Sequence, residues 1–246
     1  MTLDVRRAAD RFTTEEPGRT TRHSFSFDRH YDPSNTGFAL LVAHNDDLVA
    51  PGHGYDDHPH ADTEIVTWVL DGALAHADTD GHAGTVTPGV VQALSAGSGL
   101  VHSERNAAGP DGAPVRFVQV WVRPRTSGSV PSYSSAGVGD ALGRGDWVPL
   151  ASGVPGVDAA VPLGADAVLL AARPHAGTGL TLPEAPAVHL FVARGSIDLE
   201  GVGPLVAGDA ARMSGGGRRI TAGPAPGPGS GAEVLVWAMQ PPAERA

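Results

Sequence analysis

The chain has 246 residues, including 33 Gly and 21 Pro, and a formal net charge of −10. It contains no cysteine, and all 17 of its basic residues are arginine. That inventory rules out disulfides, thiolate metal sites, a lysine Schiff base and a P-loop lysine, and the acidic balance without a basic run argues against a nucleic-acid partner. The length suits two modest domains or one large β domain. Short, Val-rich apolar runs between Gly and Pro predict many short strands and an all-β protein. The start, from Met1 to Arg7, has no apolar core behind it, so no signal peptide is expected. No apolar run approaches the roughly 20 residues that span a bilayer, and the expectation is a cytoplasmic protein with no membrane partner.

In chain order, residues 1–20 are polar and read as an irregular or edge segment, and His23 to Phe27 alternates like a strand. Tyr31 to Gly37 carries turn residues, Phe38 to Ala43 reads as a buried strand, and Asn45-Asp46-Asp47 as another turn. Glu64 to Leu70 is β-branched and apolar, and Asp71-Gly72 predicts a tight hairpin turn into Ala73 to Ala77. Pro88-Gly89 precedes a strand over Val90 to Leu94, and Val115 to Val122 is the clearest strand of all. Residues 1–125 form the expected first domain. A Ser/Gly/Pro-rich linker follows over 126–150, with a second domain over 151–246. Strands are predicted there at Ala167 to Ala172, Val188 to Ala193, Ser196 to Leu199 and Glu233 to Met239, with a loop from Gly223 to Gly231.

The chemistry concentrates between Gly52 and Asn106. His58 and His60 are two residues apart, and so are His102 and Glu104. In a strand, residues i and i+2 share a face. If the two strands pair, three imidazoles and a carboxylate converge, and the candidate metal ligands are His58, His60, His102 and Glu104. Pro59 suits a strand end or edge, and Gly97 and Gly99 allow a tight turn before His102. An N/O set with open positions suits one divalent ion per chain. Fe(II) is favoured, and manganese, nickel, cobalt and copper also accept such donors. Zinc more often takes a closed tetrahedral set. His76 is weighed as a packing residue, His53 as a solvated loop residue before the motif, and His23, His30, His44 and His82 as residues in or beside polar turns, while His175 and His189 have no partner spacing.

The second half repeats the first with its ligands removed. Val69-Leu70-Asp71-Gly72 aligns with Val192-Ala193-Arg194-Gly195, and Leu94 to Gly97 with Met213 to Gly216. That register sets Thr181 and Pro183 against His58 and His60, and Thr221 and Gly223 against His102 and Glu104.

Gly52-x5-His58-x-His60-x3-Glu64 resembles the first cupin motif, and Gly99-x2-His102-x3-Asn106 the end of the second. His23-Ser-Phe-Ser-Phe27, His58-Pro-His60, Glu64 to Gly72 and His102-Ser-Glu104 resemble the pirin family, and in particular its bacterial quercetin 2,3-dioxygenase-like members. The likeness runs through most of the chain, strongly to about residue 125. Two departures are Gly97 in place of the usual cupin proline and a seven-residue rather than six-residue gap between Glu64 and Gly72. The resemblance implies a bicupin of two jelly-roll β-sandwiches with one metal in the first. In many cupins the carboxylate ligand stands at Glu64, and in pirins at Glu104. The shared face with His102 favours Glu104, with Glu64 at the rim or behind the ligands.

The implied activity is a metal-dependent dioxygenase that opens the heterocycle of flavonols such as quercetin and releases carbon monoxide. Its substrates are a flavonol-like aromatic and O₂, with Glu104 or Glu64 as proton acceptor. The alternative is a redox-responsive metalloprotein that binds a protein partner, as eukaryotic pirins do.

Overall fold

A computed structural model describes residues 2–224 and 231–240 of the chain. Two seven-stranded sheets and two four-stranded sheets make up the molecule. The first large sheet runs Ser132–Gly137, Val90–Ser95, Glu64–Asp71, Val115–Val122, Leu41–Val49, Arg19–His23, Phe12–Glu16. Against it lies the small sheet Gly54–His60, Leu100–Asn106, Leu74–Asp78, Ala83–Val86. The second large sheet runs Leu3–Arg6, Ala210–Ser214, Ala187–Arg194, Glu233–Met239, Ala167–Ala172, Val148–Ser152, Val161–Pro162. Its small partner is Gly179–Thr181, Arg219–Ala222, Ser196–Leu199, Gly203–Val206. The small sheets share one strand order, and the central strands of the large sheets correspond in the same way. This is a bicupin of two jelly-roll sandwiches. Among the described residues no helix is long and apolar enough to cross a membrane.

Alternation along each large-sheet strand serves two cores. On the Glu64–Asp71 strand, Ile65 and Val69 point into the first sandwich, while Val66, Trp68 and Leu70 face the second half. The largest apolar cluster therefore lies between the two large sheets, joining Val66, Trp68, Val118 and Val120 to Leu169, Phe191, Leu235 and Trp237. Polar bonds pin the same junction. Trp68 Nε1 donates to Glu233 Oε1 at 2.7 Å, and Arg194 donates to the Leu70 carbonyl at 2.6 Å. The edges are exchanged as well: Leu3–Arg6 pairs with Ala210–Ser214 of the second sheet, whereas Ser132–Gly137 pairs with Val90–Ser95 of the first. The stretch expected to be a linker thus contributes an edge strand.

Several expected elements shift. Asn45, Asp46 and Asp47 do not turn; they are buried inside the Leu41–Val49 strand. Each finds a partner there: His23 Nδ1 lies 2.9 Å from Asn45 Oδ1, Arg116 pairs with Asp46, and Tyr55 donates to Asp47 at 2.6 Å. Satisfied side chains let a turn-prone tripeptide stay extended. The first strand near His23 covers Arg19–His23, ahead of the expected span, and Ser24 to Phe27 leave the ladder. Gly72, at φ 75°, turns the chain as expected, but it carries it from the large sheet into the small one rather than closing a ladder hairpin. The loop expected from Gly223 to Gly231 lies outside the described residues over 225–230.

The ladders also correct the register of the repeat. Ile197 pairs with Leu205 as Leu74 pairs with Val86, so Leu199 stands where His76 does. Ile220, opposite Leu199, then takes the position of Glu104, opposite His76. The expected Thr221 and Gly223 are displaced from those positions, and buried Leu199 and Ile220 belong to the apolar filling of the second sandwich.

Candidate metal centre

The strands Gly54–His60 and Leu100–Asn106 are antiparallel neighbours, with His58 directly opposite His102 and His60 opposite Leu100. The three histidines therefore share the face turned into the sandwich. Ring centroids lie 4.4 Å apart for His58 and His102, 4.9 Å for His58 and His60, and 5.0 Å for His60 and His102. Their ligand atoms all fall within 4.8 Å of one another. Pro59 faces outward opposite Val101, where its lack of an N–H matters least. The turn before Leu100 demands glycine: at Gly97, φ 47°, a Cβ would strike the Ser129 carbonyl oxygen.

Beyond His102 the ladder slips by one residue, so that Glu104 stands opposite Tyr55. Glu104 still shares the face of His102. Its ligand oxygen groups within 4.8 Å with His102 and His76, not with His58 and His60; the two groups share His102. Gln119 Nε2 donates to Glu104 Oε2 at 2.7 Å. The indole N–H of Trp121, a donor only, donates to Gln119 Oε1 at 3.2 Å, which fixes the amide orientation. Burial pushes the Glu104 carboxyl up to about 7 against the opposing pull of Gln119. Burial, reinforced by neighbouring histidines, lowers His60 to about 4 and His102 to about 3, so both imidazoles are neutral at pH 7.

The unmet valences fit a cation. His60 Nε2, His102 Nε2 and Glu104 Oε1 are buried with no hydrogen-bond partner. His58 Nδ1 donates to the Asp56 carbonyl at 2.7 Å, leaving its Nε2 lone pair free. Neutral imidazole nitrogens and a carboxylate oxygen are the donors a divalent transition metal takes, and orphaned buried atoms of this kind are otherwise costly. Buried polar side chains beside Glu104, with Thr67 bonded to Gln119 and Gln92 bonded to Tyr133, form a polar layer. It separates an apolar plug of Ile65, Leu94, Ala96 and Leu100 from another of Val69, Leu74 and Phe117. Trp121 meets the His60 ring edge-on at 4.7 Å. An open depression of about 620 Å³ adjoins His60, lined by Pro59, Leu100 and Val101.

Glu64 is not brought to this cluster. It shares its strand face with Val66 and Trp68, toward the second half, and accepts from Ser95 Oγ at 2.8 Å and from the Gly164 N–H at 3.0 Å. The expectation that it lines the rim of the ligands, or accepts a proton there, loses its geometric basis. The alternation Glu64-x-Val66-x-Trp68 already carried that signal. Conversely, His76 is drawn into contact with His102, and Gln119 into contact with Glu104. His76 stands two residues before Asp78, a spaced pair open to view in the sequence, whereas for Gln119 only the inward parity of its strand could have pointed to it.

The pirin family model matches residues 4–122. A protein of Mycobacterium tuberculosis, provisionally named quercetin 2,3-dioxygenase, is 47% identical over 239 residues, covering 97% of this chain and 95% of that protein. Escherichia coli (strain K12) quercetin 2,3-dioxygenase is 37% identical over 129 residues, 52% of this chain and 55% of that protein. The crystal structure of the bacterial pirin YhhW from Escherichia coli, in complex with nickel(II), superposes with a TM-score of 0.86 at 27% identity, covering 98% of this chain and 100% of that one. The chain belongs to the pirin family.

Proposed function

We propose that the protein is a metal-dependent dioxygenase that opens the heterocyclic ring of flavonols such as quercetin. One divalent cation, Fe(II) in this reading, is held by His58, His60, His102 and Glu104. Residues 1–125 carry the chemistry, and residues 151–246 pack behind it. The observation that carries the reading is the convergence of three imidazoles beside a buried carboxylate with an unmet oxygen. The names of the relatives support the substrate class.

When bound, the cation supplies a Lewis acid for the flavonol 3-hydroxyl and a centre at which O₂ can react. The protein supplies the rest. Glu104 is the carboxylate placed to accept the 3-hydroxyl proton, at Oε1, the oxygen without a protein partner. Gln119 holds Oε2, so the proton is received at the oxygen facing the histidines. Trp121, edge-on to His60, and Leu100, in the depression beside it, supply apolar surface for an aromatic substrate. The balance closes without a reductant: flavonol plus O₂ gives the ring-opened ester plus carbon monoxide.

The test is aerobic turnover. Protein reconstituted with Fe(II) should consume quercetin and release carbon monoxide only when both O₂ and metal are present, and His60→Ala should abolish the loss of flavonol absorbance. Binding of quercetin without consumption would contradict the enzyme reading and leave a metal-dependent binding protein.

A further inference from the structure

His102 has two ring nitrogens with different surroundings. Nε2 faces the other histidines and has no partner. Nδ1 lies 3.5 Å from Nδ1 of His76, on the neighbouring strand Leu74–Asp78. His76 Nε2 in turn lies 3.4 Å from Asp78 Oδ2. The side chains of His76 and Asp78 are fully buried, and the His76 ring stacks on Tyr133 at 4.9 Å. Asp78 is itself held by its turn: Oδ1 accepts the backbone N–H groups of Asp80 at 3.0 Å and His82 at 2.9 Å, and the His82 ring Nδ1 lies 3.0 Å from Oδ2, which it shares with His76.

These contacts fix where the protons sit. An ionised carboxylate only accepts, so His76 must carry its hydrogen on Nε2 and keep a lone pair on Nδ1. One hydrogen fits between the two Nδ1 atoms, and it must then belong to His102. His102 is left with its lone pair on Nε2, the atom directed at His58 and His60. Two weak, long bonds in series thus set one tautomer and one ring orientation. The outer partners of a ligating histidine commonly do this.

We propose that Asp78 and His76 are positioning residues that hold His102 in its Nδ1–H form and so prepare Nε2 to bind the cation. The inference rests on the metal reading given above. Against it stand a purely packing role for His76, on the face of Tyr133, and a direct ligand role for His76 in the group His76, His102, Glu104.

Asp78→Asn distinguishes these. The backbone N–H groups of Asp80 and His82 require an acceptor at Oδ1, so the amide NH₂ takes the place of Oδ2 and donates to His76 Nε2. His76 Nδ1 must then carry the hydrogen, and His102 is driven to the Nε2–H form, which cannot bind a metal. Nitrogen-15 NMR of the metal-free protein should report His102 protonated on Nδ1 in the wild type and on Nε2 in Asp78→Asn. Cobalt(II) affinity, measured by chelator competition, should fall about 10- to 100-fold in Asp78→Asn and in His76→Phe, which keeps the stack without a nitrogen. His76→Gln, whose side-chain oxygen can accept from His102 Nδ1–H, should recover most of it. Wild-type affinity and tautomer in Asp78→Asn would overturn the inference and leave the metal reading standing. So would a His76→Gln as weak as His76→Phe alongside a His58→Ala that keeps its metal, because His76 would then be a ligand. Undiminished cobalt(II) binding by His60→Ala would instead mean that the metal reading itself has failed, and the inference with it.

Discussion

At the scale of single residues, the two carboxylates that the sequence leaves in competition are separated by strand parity. Glu104 points inward with His102; Glu64 points at the second half and is bound by Ser95 and Gly164. Glu64→Ala should therefore keep its metal while losing about 1 kcal/mol of stability, because the part-buried Ser95 hydroxyl and Gly164 N–H lose their acceptor. Metal analysis and urea denaturation of the purified variant check the two halves of that statement. A Glu64→Ala protein that is empty, beside a Glu104→Ala protein that stays loaded, would reverse the assignment. The convergence of His58, His60 and His102 was legible because alternation at i and i+2 is visible in the letters. Gln119 was not, because a lone amide on a strand carries no spacing, and the His76-x-Asp78 pair takes its meaning only from His102 on the strand laid beside it.

At the scale of elements, the strands rich in Val and Trp were legible, and Val115–Val122 and Glu233–Met239 form where the sequence predicts. The polar strand Leu41–Val49 was hidden in its middle. Asn45, Asp46 and Asp47 carry turn propensity, and what keeps them extended is long-range: His23, Arg116 and Tyr55 come from three other strands. The same limit explains the Asp71-Gly72 turn. Its chemistry specifies a sharp reversal, but whether the next strand pairs with the last or crosses to another sheet is decided by the sandwich. The register of the second repeat failed for a related reason. Its strand Gly179–Thr181 is short, so turn glycines alone left the alignment free to slide, and only the ladder through Leu199 and Ile220 fixes it.

At the scale of the whole molecule, the junction between the large sheets buries His44 and His189, with ring centroids 4.9 Å apart. Burial, with Arg11 and Arg212 nearby, lowers His44 to about 3 and His189 well below its ordinary value. Both take up protons near pH 6.5 when unfolded, so below that pH the unfolded chain binds more protons than the folded one. Their contribution is complete above pH 6.5 and is lost as the pH falls below it, by up to about 1.4 kcal/mol per pH unit for each histidine. Urea denaturation between pH 7 and pH 4 should show that decline, and His189→Leu should flatten it. An unchanged slope in His189→Leu would contradict the account of the junction.

The functional reading depends most on one cation held by the first half, because the second carries Ile220 where the first has Glu104. The decisive measurement is elemental analysis of protein purified after Fe(II) loading and removal of free metal. The expected result is one metal per chain in the wild type and almost none in His60→Ala. A value near two per chain, or a His60→Ala protein as fully loaded as the wild type, would contradict it.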